Sequence, residues 1–129
     1  MLIASPQISR LVNMFRSASQ GALVPLLGPI IGMMAKSAAL CRYLGASGLF
    51  VRSLVERISD NVEAFMLRSY VNILQLVHTH HSCPRKLVLD FNIYERLRQL
   101  AASALTARQV VVFQKVKLLL GEIQLSTLS

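Results

Sequence analysis

The chain has 129 residues, 53% of them hydrophobic, with only four prolines and six glycines, which excludes intrinsic disorder. Fourteen lysines and arginines against six acidic residues give a net charge of +8, but they are scattered and no aromatic-interleaved basic patch or reader motif accompanies them, so nucleic-acid binding is not expected. Leu, Val, Ile, Ala and Met dominate, tryptophan is absent, and the two cysteines follow no disulfide or zinc spacing; packed helices in a reducing compartment are expected.

Ser5-Pro6 reads as an N-cap followed by a first-turn proline. Ile8, Leu11, Val12 and Phe15 then recur at helical spacing, and Gln20-Gly21 offers a left-handed stop. A second helix is expected over 22–36, with Pro25 in its first turn and Pro29 kinking it. Residues 1–55 contain five basic residues and no acidic one, as a transit peptide does. Residues 22–35 are nearly all apolar, but this run of about 14 residues falls short of the roughly 20 a membrane span needs. A small membrane-associated or organelle-targeted helical protein, anchored through 22–40, is therefore the alternative to a buried helix.

A short helix over 38–45, with Cys41 as a small core residue, leads through Gly45 and Gly48 into another over 48–58. Asp60 with Glu63 resembles a capping box for the longest helix, 61–80. Its apolar stripe is Val62, Met66, Tyr70, Ile73 and Val77, widened by Phe65, Leu67, Val71 and Leu74. Asn61, Arg68, Asn72, Gln75 and Thr79 form a polar stripe. His80 to Pro84 breaks the helix, and Pro84 starts a short one ending near Phe91. Asn92 with Glu95 opens the next, which turns Tyr94, Leu97 and Leu100 inward; Thr106 with Gln109 opens the last, over 107–124. That helix is expected to bury Val110, Phe113, Val116, Leu119, Leu120 and Ile123, and to place Gln114, Lys117 and Gly121 on one polar face.

Short, medium and long helices thus occur in order twice, with Leu49 corresponding to Ile93, an offset within the roughly 40–47 residues of armadillo and HEAT units. The expected fold is all-α, a right-handed armadillo/HEAT-type solenoid of about two and a half repeats: a partial repeat over 1–37, then 38–81 and 82–129. The first 20 residues form an incomplete repeat, which predicts further helices upstream.

His78, His80, His81 and Cys83 cluster at one helix end, but no second pair of ligands completes a zinc site; histidines there can cap free carbonyls. Asp90-Phe91-Asn92 lacks the glycine of the kinase magnesium motif, and no phosphate loop or catalytic loop is present, so neither catalysis nor a cofactor is expected. Arg68, Asn72, Gln75, Gln114 and Lys117 are the candidate protein-binding residues, because they lie on polar stripes of otherwise apolar long helices.

The segments Ile8-Ser9-Arg10-Leu11-Val12-Asn13-Met14-Phe15 and Val71-Asn72-Ile73-Leu74-Gln75-Leu76-Val77-His78-Thr79-His80-His81-Ser82-Cys83-Pro84-Arg85-Lys86-Leu87-Val88-Leu89-Asp90-Phe91-Asn92 carry a further signal. In order and type they resemble the C-terminal armadillo/HEAT region of plant epsilon-type MAP kinase kinase kinases and the related fungal septation-initiation kinases. Ser82-Cys83 stands where that family tends to have a proline-containing turn. The resemblance implies a non-catalytic scaffold or regulatory piece of a cytoplasmic signalling Ser/Thr kinase. Its partners would be neighbouring repeats and a helical or extended protein segment, of acidic character given the net charge.

Overall fold

The computed structural model describes residues 6–17, 19–58, 63–106 and 109–128. They form eight α-helices and no strand among the described residues. Serines divide the first half. Ser19 opens α2 (Gln20–Lys36) after α1 (Pro6–Ser17), its side chain accepting from the Ala22 N–H at 3.3 Å. Ser37 ends α2 and opens α3 (Ala38–Ala46), accepting from the Leu40 N–H at 3.1 Å. Ser47 does the same between α3 and α4 (Gly48–Arg57), accepting from the Phe50 N–H at 3.4 Å. A single extended serine can therefore end one helix and satisfy an orphan donor of the next. The chain bends by 112° between α2 and α3.

These caps replace the expected glycine stops. Gly21 lies within α2 and Gly45 within α3, while Gly48 is the first residue of α4; no described glycine has positive φ. α1 stops at Ser17, short of Gln20. α2 runs unbroken through Pro29. Among the described residues no single helix is long and apolar enough to cross a membrane, although α2 and α3 together pass that test as a bent pair. Leu23, Leu27, Ile30 and Met34 turn one face of α2 into the core.

α5 (Ala64–His80) is preceded by Glu63, whose side chain makes no cap hydrogen bond; Asp60, Asn61 and Val62 lie outside the described residues, as does Ser5. Pro84 occupies the first turn of α6 (Pro84–Asp90), where its missing N–H costs no bond. Asn92 then takes φ 52, the left-handed conformation asparagine tolerates, and its carbonyl accepts the Arg96 N–H at 3.3 Å to open α7 (Ile93–Thr106). Glu95 does not complete a box with Asn92: its carboxylate pairs with Arg98 at 3.3 Å. The Thr106 side chain lies outside the described residues. α8 (Val110–Leu128) opens on Gln109, whose carbonyl accepts the Phe113 N–H at 3.0 Å.

The core runs through all eight helices. Its aromatic centre sits between α1, α4 and α5: the rings of Phe15 and Phe50 are 4.9 Å apart and those of Phe15 and Tyr70 6.4 Å apart. Arg57 Nε donates to the Phe15 carbonyl at 2.7 Å and so ties α4 to the end of α1. Burial pushes the Tyr70 hydroxyl pKa up, opposed by the neighbouring Arg57 guanidinium. α5 lies between α2 and α8, α3 packs on α5, α1 on α4, and α6 on α7 and α8.

Helix lengths run 9, 10 and 17 residues over α3 to α5, then 7, 14 and 19 over α6 to α8. The expected pairing of Leu49 with Ile93 does not hold in burial, since Leu49 is exposed and Ile93 buried.

Candidate interaction face

α5 and α8 run parallel. At their first turns Ala64, Phe65 and Arg68 line a shallow hollow of about 300 Å³ with Gln109, Val110, Val111 and Val112. Further along, Lys115 Nζ donates to Asn72 Oδ1. Beyond that, Gln75 Nε2 donates to both carboxylate oxygens of Glu122, at 3.1 and 3.2 Å. The polar stripe of α5 thus meets α8 through two side-chain bridges.

The expected binding residues divide accordingly. Arg68 is exposed at the hollow. Asn72 and Gln75 are half-buried and committed to α8. Gln114 and Lys117 are exposed on α8. The lysine that reaches α5 is Lys115; two positions along a helix is a rotation of about 200°, which carries Lys117 to nearly the opposite side.

On the outer side of α8 the sequence placed Gln114 and Lys117 correctly, but not the apolar residues among them. Val110, expected in the core, is 60% exposed, and Val112 is buried in its place. Phe113 and Leu120 are only half-buried, while Val116, Leu119 and Ile123 are buried as expected. Val111, Leu118 and Leu125 are 52%, 65% and 70% exposed, and their spacing of seven puts them in one row. The spacing was available in the sequence. It was not assigned to a surface, because apolar residues on nearly every side of α8 leave its inward direction weakly specified.

The histidine cluster resolves into packing. His78 is buried, and burial lowers its pKa, with Glu122 opposing the shift and His81 adding to it. The His81 ring lies over Gly45 of α3 and its Nδ1 accepts the Cys83 N–H at 2.9 Å, while its backbone N–H donates to the His78 carbonyl at 3.4 Å. Among the described residues no cluster of three or more metal-ligating side chains exists. A second cleft of about 310 Å³ lies between α4 and the α6–α7 turn, where Arg52, Glu56, Asp90 and Arg96 mix both charges; Arg96 is anchored there on the Ile58 carbonyl at 2.8 Å.

No protein-family model and no solved structure matches the chain. It is 26% identical over 130 residues to MAP3K epsilon protein kinase 1 of Brassica napus, covering 98% of this chain and 10% of the relative. It is 24% identical over 131 residues to MAP3K epsilon protein kinase 1 of Arabidopsis thaliana, covering 98% and 9%. MAP3K epsilon protein kinase 2 of Arabidopsis thaliana matches at 24% over 125 residues, covering 94% and 9%. The chain therefore spans about a tenth of the length of the curated relatives it matches, and over nearly its whole length it is a distant homologue of one segment of the plant MAP3K epsilon protein kinases.

Proposed function

We propose that this chain is a non-catalytic protein–protein interaction module, a scaffold or regulatory piece related to a signalling Ser/Thr kinase and working in the cytoplasm. The architecture we assign to it is a right-handed armadillo/HEAT-type stack, with 1–37 as a partial unit and 38–81 and 82–129 as full ones. Support comes from the short–medium–long helix order that occurs twice and from the parallel course of α5 and α8. The α5–α8 face is the binding surface, and its ligand is a protein segment, helical or extended.

The exposed row Val111, Leu118 and Leu125 carries this reading. Apolar side chains scattered singly on a surface need no explanation, whereas three exposed in one row of a helix, beside a hollow that holds Arg68, support an interaction site. A photo-reactive residue placed at Leu118 tests it in cells, with the same residue at exposed Arg42 of α3 as control. Position 118 is expected to capture discrete polypeptides that position 42 does not. Identical capture at both positions would remove the α5–α8 face as the binding surface.

A further inference from the structure

The exposed residues of α8 form a seam. Val111, Gln114, Leu118, Gly121 and Leu125 alternate at intervals of three and four, the spacing with which one helix offers knobs and holes to another. Gln114, Leu118 and Leu125 are exposed, and a side chain at Gly121 would meet nothing within 4 Å. At about 1.5 Å per residue the row from Val111 to Leu125 is about 21 Å long, enough for a helix to lie along it.

Resting on the interaction face proposed above, we propose that its occupant is a second copy of this chain, docked antiparallel along α8 about a two-fold axis at Leu118. Three features of the seam make it its own complement. Val111 and Leu125 lie seven residues on either side of Leu118, so the two-fold sets each against the other's counterpart and Leu118 against itself. Gln114 and Gly121 stand on opposite sides of Leu118, so a long side chain faces an empty site twice over. Lys115 and Glu122 flank the seam on the α5 side, each held by an α5 amide. The same rotation brings Lys115 of one copy beside Glu122 of the other, at both ends. This flank of α8 carries one charge of each sign, with Arg68 of α5 near one end. It matches a reversed copy of itself.

The hollow fits the same arrangement. Leu125 of the second copy stands opposite Val111, over the space lined by Phe65, Arg68, Val110 and Val111. Two terms oppose association. Each chain carries +8, and Lys117 sits on the other flank close to the axis, facing its own counterpart. Salt screens these repulsions and the two Lys115–Glu122 contacts alike, so no strong salt dependence follows.

Sedimentation equilibrium across about 1–200 µM tests the proposal on the whole chain. The expected result is a reversible dimer of twice the 14.3 kDa chain mass. Leu118→Glu, at a largely exposed position, should leave the circular dichroism unchanged and weaken association by about 100-fold or more, since two leucines are lost per dimer. Lys115→Glu and Glu122→Lys should each weaken it, and the double reversal should restore it, because Asn72 and Gln75 can present either end of their amides. Orientation is read by disulfide trapping in a Cys83→Ser background. Val111→Cys mixed with Leu125→Cys should cross-link, and Val111→Cys alone should not. A monomer at every concentration, a dimer indifferent to Leu118→Glu, or self-cross-linking of Val111→Cys would overturn the proposal. If the residue at position 118 then captured a different protein, the interaction face would stand without the dimer; if it captured nothing specific, both would fall.

Discussion

Gln75 on α5 donates its side-chain amide to both carboxylate oxygens of Glu122 on α8, across 47 residues of sequence. The carboxylate is half-buried, and the amide holds it in one place. A partly exposed hydrogen bond to a charged group contributes about 1 kcal/mol net. Replacing Gln75 by Ala, Glu122 by Ala, and both should give a coupling energy of about 1 kcal/mol in urea denaturation. Additive effects would mean that the bridge contributes nothing.

His78 should make stability depend on pH in a defined direction. Its folded pKa is lowered, mainly by burial. The unfolded chain protonates this histidine near its ordinary value of about 6.5, and the folded chain only at lower pH. Between the two the unfolded state binds more protons, so stability falls as pH drops below about 6.5 toward the folded pKa. The urea midpoint should be lower at pH 5.5 than at pH 8, and His78→Gln should flatten that difference. An equal drop in the variant would assign it to other groups.

The glycines should respond in opposite ways. A Cβ on Gly28 or Gly32 meets nothing within 4 Å, and both lie inside α2 without positive φ. Gly28→Ala and Gly32→Ala should each stabilise by about 0.5–1 kcal/mol through helix propensity alone. A Cβ on buried Gly45 would sit 3.0 Å from His81 Cδ2 and 3.1 Å from Val77 Cγ1. Gly45→Leu should cost about 2 kcal/mol or more, because a side chain has no room between α3 and the end of α5. Thermal unfolding of the three variants decides both statements, and a stabilised Gly45→Leu would refute the close approach.

The two thiols should differ in reactivity. Cys41 is buried, its Sγ donates to the Met34 carbonyl at 3.1 Å, and burial pushes its pKa up. Cys83 is exposed at the start of α6. A thiol reagent at neutral pH should label one cysteine in the native chain and two in urea. Removal of the fast phase by Cys83→Ser identifies it; fast native labelling of Cys41 would mean that α3 opens readily.

Periodicity and caps made most of the helices legible. Pro84 announced α6 because proline suits a first turn, and the apolar spacing of Met66, Tyr70, Ile73 and Val77 announced the buried side of α5. The sequence placed breaks at or near Ser19, Ser37 and Ser47, but not the serine caps that make them. A serine caps only when its backbone is extended, and nothing local distinguishes these three from serines elsewhere in the chain. Gly45 looked like punctuation, but its value is the space it leaves for His81, a contact 36 residues away.

The sequence by itself determined that this is an all-helical chain, in what order its helices come, and which of its long helices carry polar stripes. Only the tertiary structure decided what those stripes face. Asn72 and Gln75 turn to Lys115 and Glu122, and the apolar residues of α8 divide between core and surface, because neighbouring helices compete for its sides. Local spacing can state that a helix has apolar sides; which of them lose their water depends on partners that folding brings from more than forty residues away.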